Sequence, residues 1–382
     1  EAARGNGQRV LVIKAGAGTG KTFSLRELEK VLKGRGQYTA FNKKLVADSK
    51  PKFKRAACET SHALAYRAEG YKYKHRLNGK RVRSWEVAQR LGIDDYIVNL
   101  PEAVAPFEAD GKPQTRRLKA AFLAGQVTEA VKRFCQSADR EIGLRHIKKF
   151  DGLDEAGKYD KSDEVKAYLL PFVLRMWADI LDPNGELPFS HDCYVKTFQL
   201  NHPVIAADYI MLDEYQDTAP VMVSILQQQT HALVIMVGDD NQRIYEWRGA
   251  VNAGDHFPGA TSRLLSQSFR FGQTVAAVAN AVLAGLEEPT DLVMRGLESI
   301  PTRVCEVENP RCYLYTTNAG AISRLMAGMD EGKRGHLVGN VDDIIGFCRA
   351  AKDLQAGMGT THHELGCFEK WSEVQIYSKE DE

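Results

Sequence analysis

Three glycines fall within Ala15-Gly16-Ala17-Gly18-Thr19-Gly20-Lys21-Thr22, and a lysine and a hydroxyl follow them directly. Glycine lets a backbone curl with its N–H groups pointing inward, and a curl of that kind cradles a polyphosphate. Lys21 is then placed to reach the β and γ phosphates, and Thr22 to put its hydroxyl on Mg²⁺. Ala15 stands where the usual pattern opens with glycine, a tolerated variant. Far along the chain, Asp213-Glu214 supplies two adjacent acids. Read alone, such a pair is an acidic strand end. Beside phosphates, the aspartate can hold Mg²⁺, directly or through water, and the glutamate can orient or deprotonate an attacking water. Gln242 could detect the γ-phosphate, and Tyr245, Trp247 and Arg248 form an aromatic and cationic cluster just beyond it.

These groups need elements to position them. Val10-Leu11-Val12-Ile13 reads as a strand, and Leu25, Leu28, Val31 and Leu32 fall at helical spacing behind the glycines. Strand, loop and helix together point a helix N-terminus at the anion. Tyr209-Ile210-Met211-Leu212 is a buried-strand run that delivers Asp213-Glu214 at its carboxyl end, where open parallel sheets place their ligands. Leu233 to Val237 is a second such run, ending in Gly238-Asp239-Asp240-Asn241-Gln242. Between them, from Ser84 to about Pro188, apolar stripes such as Val127, Val131 and Phe134 alternate with Pro and Gly breaks. That segment reads as a helical insertion with no visible chemistry of its own. Arg270 stands at the entrance of a helix carrying Val275, Val278, Ala279, Val282 and Leu283 on one face. Beyond Glu287, Cys312 to Tyr315 and His336 to Gly339 read as strands, each followed by a helix, which predicts a second α/β domain.

With 382 residues, 43% of them apolar, the chain is long enough for two or three packed domains. A net charge of +1 excludes a uniformly basic protein, so any nucleic-acid surface has to be local. One window fits. From Lys43 to Arg83, Lys and Arg greatly outnumber Asp48, Glu59 and Glu69, and Phe53, His62, Tyr66, Tyr71, Tyr73 and His75 are interleaved with them. A charge run is usually a solvated face; cations mixed with aromatics also suit a groove that neutralises phosphates and stacks bases. The seven cysteines are scattered without a C-x-x-C pair and read as reduced thiols. No apolar run approaches a membrane span, and the first residues lack the core of a signal peptide, so an intracellular protein is expected. The numbering opens on Glu1, as in a fragment or processed piece. His362-His363-Glu364 and Cys367 match no defensible metal spacing.

Taken in order, Ala15 to Thr22, Asp213-Glu214-Tyr215-Gln216-Asp217, Gly238 to Ala250 and Gln267-Ser268-Phe269-Arg270 resemble the UvrD-like helicases of superfamily 1. Within that group the chain is most similar to the F-box DNA helicase branch and its bacterial and phage relatives. Phe41-Asn42-Lys43, Thr60-x-His62, Tyr194-x-Lys196 and Ser268 to Gly272 carry that finer likeness. The resemblance implies an α/β fold of two RecA-like P-loop domains, with a helical insertion in the first and an incomplete second. By position, residues 1–83 and 189–260 would form the ATP-binding domain, 84–188 the insertion and 261–382 the partial second domain.

The implied cofactors are ATP and Mg²⁺, and the implied activity is stepping along single-stranded or partly duplex DNA, 3′ to 5′, with unwinding. Lys21, Asp213, Glu214, Gln242 and Arg270 would be catalytic, Arg270 as an arginine finger from the second domain. Ala15 to Thr22 and Phe269, matching the family's adenine-stacking aromatic, would bind nucleotide; Thr22 and Asp213 would hold the metal. Phe41, Asn42, Thr60, His62, Tyr245, Trp247 and Arg248 would contact DNA, with Trp247 as a base platform. No membrane partner is implied, and no protein partner is named by the motifs. The expected compartment is the nucleoid-bearing cytoplasm of a bacterium or phage host, or a eukaryotic nucleus. Two motifs that should follow Arg270, one with a second γ-phosphate arginine, are not found before Glu382, and Gln8 lies too near the loop to be the family's adenine-reading glutamine. An adaptor that binds nucleic acid under nucleotide control, without complete motor activity, is the alternative.

Overall fold

Six short runs build one parallel sheet: β1 (Gln8–Ala15), β2 (Gly36–Ala40), β3 (Ala56–Thr60), β4 (Tyr209–Asp213), β5 (Leu233–Gly238) and β6 (Thr261–Leu265), with Val, Ile, Leu and Met concentrated in β1, β4 and β5. The structure, a computed structural model, describes residues 4–5, 8–40, 42–79, 82–100, 115–151, 153–155, 159–243, 249–287, 290–308, 310–338, 341–368 and 370–380. Across the sheet the order is β6-β1-β5-β4-β2-β3, every pair parallel, and a two-residue rung at Arg4–Gly5 adds antiparallel to β1.

Parallel strands are buried on both faces, so their side chains divide between two cores. Ile13, Ala15, Tyr38, Ala40, Tyr209, Met211, Ile235 and Val237 pack on one side, where Leu25 of the helix Lys21–Val31 and Phe53 meet them. Val10, Val12, Ile210, Leu212, Val234 and Met236 pack on the other, against Tyr194, Val195 and Phe198 of the helix His191–Leu200 and Val221 to Leu226 of the helix Pro220–Gln227. Each fully buried large side chain of this kind stabilises the fold by roughly 1.5–3 kcal/mol.

Register aligns the carboxyl ends. Leu265 pairs with Ala15, Gly238 with Lys14, Val237 with Asp213, and Ala40 with both Asp213 and Thr60. The glycine loop, the Asp-Glu pair, the Asp239–Gln242 turn and the helix starts after β2 and β3 therefore leave the sheet at a single edge.

The expected segment boundaries differ from the packing. By contact the chain divides into one unit of residues 1–83, 127–147 and 170–304, and another of 84–126, 148–169 and 305–382. Thr261–Leu265, expected to open the second domain, is the sixth strand of the first sheet. Parts of the expected insertion join the first unit through contacts with the helix His191–Leu200: the Lys196 ammonium sits 4.2 Å from the Phe134 ring, and Gln199 Nε2 donates to the Ala138 carbonyl at 3.0 Å.

In the second unit, Tyr96–Asn99 and Thr115–Leu118 form an antiparallel pair, Tyr96 stacks on Tyr168 at 4.3 Å, and Ala350, Leu354, Leu365 and Phe368 make a small core with Trp371. Arg116 pairs with Glu373 at 2.9 Å. The strands expected at Cys312 to Tyr315 and from His336 are not formed among the described residues. Leu314 and Val338 are about nine-tenths exposed (92% and 90%), and a strand without a hydrogen-bonding neighbour does not persist. The helices expected after them do form, at Asn318–Asp330 and Val341–Gln355. Among the described residues no helix is long and apolar enough to cross a membrane.

Candidate active site

The glycine loop leaves β1 and turns into the helix Lys21–Val31 through two left-handed residues, Gly18 at φ 74° and Gly20 at φ 83°. Only glycine enters that region without strain. Gly18 is doubly constrained: a Cβ there would lie 2.6 Å from Arg270 Cβ and 2.7 Å from Ser268 Oγ. Thr19 Oγ1 donates to the Gly16 carbonyl at 2.8 Å, Gly16 N–H donates to the Leu265 carbonyl at 3.2 Å, and Phe269 N–H donates to the Gly18 carbonyl at 2.9 Å. The loop is thus held from below by β6 and from the side by the segment after it. That segment carries buried Ser268 and leaves Phe269 and Arg270 exposed.

Asp213 ends β4 almost wholly buried, and three donors converge on its carboxylate. Thr22 Oγ1 and Tyr38 OH donate to Oδ2 at 2.9 and 2.8 Å, and Glu214 N–H donates to Oδ1 at 3.1 Å. Burial pushes the Asp213 carboxyl above its usual range, while the Tyr38 and Thr22 hydroxyls pull the other way. Thr22 and Asp213 offer two hard oxygens 2.9 Å apart. Among the described residues no group of three or more His, Cys, Asp or Glu could hold a metal alone. The Thr22 hydroxyl and the Asp213 carboxylate suit the chemistry of Mg²⁺, which takes one or two protein oxygens and completes its shell with phosphate and water.

Glu214 lies in the left-handed region at φ 54°, a conformation that costs a non-glycine residue about 1–3 kcal/mol and persists only where its surroundings enforce it. They do. Lys21 Nζ is 2.7 Å from Glu214 Oε2, and Gln216 Nε2 donates to the same oxygen at 2.9 Å. Gln216 Oε1 in turn accepts the Asp239 N–H at 3.0 Å, and Gln242 Nε2 donates to Asp239 Oδ2 at 2.6 Å. A chain of hydrogen bonds so runs from the loop lysine through Glu214 and Gln216 to Gln242. Every expected catalytic residue lies in the first unit, Arg270 included, although Arg270 was expected from a second domain.

Tyr38, Gln216 and Asp239 were missed. Tyr38 reads as one more aromatic strand residue, and nothing local marks its hydroxyl, which also accepts from Ser49 Oγ at 3.1 Å. Gln216 is two residues past Glu214 and could have been found from that spacing. Since Tyr38 donates to the Asp213 carboxylate, Tyr38→Phe is expected to weaken Mg²⁺-dependent tightening of nucleotide binding about tenfold. A Mg²⁺ titration of nucleotide affinity measures it, and an unchanged midpoint removes Tyr38 from that role.

The expected nucleic-acid contacts divide. Asn42 caps the helix Lys43–Ser49, accepting the Lys44 N–H at 2.8 Å, and Thr60 caps the helix Ser61–Ala68, accepting the Ala63 N–H at 3.1 Å. His62 pairs with Asp192 at 3.1 Å and keeps 34% of its side chain exposed. Phe41, Tyr245, Trp247 and Arg248 lie outside the described residues.

The basic window is less of a stacking surface than expected. Phe53 is buried against Tyr38 at 4.8 Å, Tyr73 stacks on Phe189 at 4.5 Å, and Tyr66 meets Tyr194 edge to face at 5.6 Å. Phe53, past the end of the helix Lys43–Ser49, and Tyr73 are buried, and Tyr66 is partly buried against the core. Arg76 is also spent internally, on the Asp179 carboxylate at 2.8 Å and on nearby carbonyls. Lys43, Lys44, Lys50, Lys52, Lys54, Arg55 and Lys74 remain exposed, with Tyr71 and His75.

Lys196, part of the finer resemblance, is fully buried. Its ammonium donates to the carbonyls of Ser137, at 3.1 Å, and Asp139, and sits 4.2 Å above the Phe134 ring; burial pushes it down to about 8. It ties down the turn that follows the helix Ala120–Gln136.

Residues 201–254 match the UvrD/REP helicase N-terminal domain. The chain is 29% identical to F-box DNA helicase protein 1 of Schizosaccharomyces pombe, over 98% of this chain and 44% of that protein. It is 30% identical to F-box DNA helicase 1 of Gallus gallus, over 72% of this chain and 26% of that protein. A probable DNA helicase II homolog of Mycoplasma genitalium is 28% identical, over 72% and 41% of the two chains. The resemblance to UvrD-like helicases is borne out over most of the chain, which spans less than half the length of these relatives.

Proposed function

We propose that this chain carries the ATP-hydrolysing portion of a DNA helicase that translocates along single-stranded DNA 3′ to 5′. One observation carries the reading: Thr22 meets Asp213 at 2.9 Å and Lys21 meets Glu214 at 2.7 Å, although the partners stand 191 and 193 positions apart in sequence. Loop and acids meet where a γ-phosphate, its cation and an attacking water would lie. Mg²⁺ bound at Thr22 and Asp213 would neutralise developing phosphate charge. Lys21 binds the phosphates, and Glu214, released from Lys21, takes the proton of the water that Gln242 helps to place. The loop amides and the N-terminus of the helix Lys21–Val31 hold the anion. Residues 1–83 and 189–265, which carry the six parallel strands, act as the ATP-binding domain, with residues 84–188 as its insertion.

DNA runs past the carboxyl edge of the sheet, contacted from Asn42, Thr60 and His62, with Phe41, Tyr245, Trp247 and Arg248 as the further contacts. Phe269, 63% exposed beside the loop, stacks on adenine. The test is ATP turnover by the full chain with and without single-stranded DNA. DNA should raise the rate, and Lys21→Ala should abolish it. Equal rates with and without DNA, together with retained binding of both ligands, would favour an adaptor instead.

A further inference from the structure

Lys14 is a charged residue within a strand whose neighbours are apolar, directly before the glycine loop. Its ammonium lies 2.8 Å from Asp240 Oδ2, and the other oxygen of that carboxylate accepts the Tyr215 hydroxyl at 2.5 Å. Tyr215 is fully buried and follows Glu214; Asp240 follows Asp239, whose carboxylate accepts Gln242 Nε2 at 2.6 Å and Asn241 N–H at 3.1 Å. Asp240 is therefore gripped from the loop strand on one side and from the acid segment on the other.

An exposed ion pair by itself contributes little, and Lys14 is 41% exposed. Here the carboxylate is shared with a buried phenol, which fixes its direction and restricts the turn that bears Gln242. Gln242 itself is exposed, so the turn is held from behind. The pair borders a pocket of about 180 Å³ with Val12, Asn252 and Phe257, so an apolar side chain at position 14 has room.

We propose that Lys14 and Tyr215 are positioning residues: through Asp240 they hold the Asp239–Gln242 turn in register with the phosphate loop, so that Gln242 meets the γ-phosphate. The inference rests on the ATP-hydrolysing reading above. Misplacing a group of this kind by about 1 Å costs up to about 100-fold in rate.

Lys14→Met is expected to lower kcat about tenfold with KM changed less than about threefold, the pattern of an interaction made in the transition state. Lys14→Arg, which keeps the charge on Asp240, should restore most of it. In a Gln242→Ala background Lys14→Met should cost almost nothing more, because both act through the same group; full additivity would overturn the proposal. Amide hydrogen exchange at Asn241 and Gln242 gives a readout without turnover. Exchange should quicken in Lys14→Met and in Tyr215→Phe, and unchanged exchange in a folded Lys14→Met chain refutes the pinning. If the wild-type chain hydrolyses no ATP, the enzymatic reading fails and the presentation of Gln242 with it, while the exchange arm still decides whether Lys14 and Tyr215 hold the turn.

Discussion

Glu214→Gln should reduce ATP turnover by about 10²- to 10⁴-fold while leaving ATP binding in place, the loss typical of a removed general base. The geometry explains the separation. Glu214 pairs with Lys21 at 2.7 Å, and in the proposed function a bound phosphate draws Lys21 away and frees the carboxylate for the water. A glutamine keeps the carbonyl that accepts from Gln216 but cannot take a proton. Nucleotide affinity should be unchanged or tighter, since Lys21 no longer has to leave an ion pair. Single-turnover hydrolysis and fluorescent-nucleotide titration measure the two halves. A rate within twofold of wild type would mean that the water is activated elsewhere.

Arg270→Ala is expected to cost more, about 10³- to 10⁵-fold in turnover, the range over which arginine fingers act. The backbone on either side of this residue is anchored: Ser268 Oγ accepts the Arg270 N–H at 3.2 Å, Phe269 N–H donates to Gly18, and the Phe271 carbonyl accepts the Leu297 N–H at 3.0 Å. Its Cβ lies so close to Gly18 that the loop tolerates no side chain there. The exposed guanidinium thus starts beside the phosphate loop, within the same compact unit, and has only its own rotamers to traverse. Arg270→Lys should recover little, because an ammonium does not reproduce the planar fork that meets two phosphate oxygens. ATP binding should persist in both variants. If turnover is unaffected while Lys21→Ala is inactive, the transition-state charge is neutralised by another cation.

The loop, the two acid-bearing strand ends and the helix behind the loop were legible in the sequence. Each is signalled locally: glycine spacing for the curl, apolar runs for β4 and β5, a helical period at Leu25 and Leu28. The interleaved aromatics were misleading for the same reason. Phe53 and Tyr73 alternate with lysines along the chain, but alternation says nothing of which side faces the sheet, and both rings are buried. Cys312 to Tyr315 had the composition of a strand and pairs with no strand among the described residues. Thr261–Leu265 had a neighbour in β1 and joined the first sheet.

Residue types near one another in sequence thus determined the phosphate cradle, the acids and the family likeness, because glycine freedom, lysine reach and carboxylate chemistry belong to the residues themselves. Only the tertiary structure decided their partners. Parallel register carries Ala40 to Asp213 and Gly238 to Lys14, and so brings Tyr38 to the Asp213 carboxylate and Asp240 to the loop strand. Contacts across such spans arise from the order in which strands pair and the faces that burial selects, and no local window contains either.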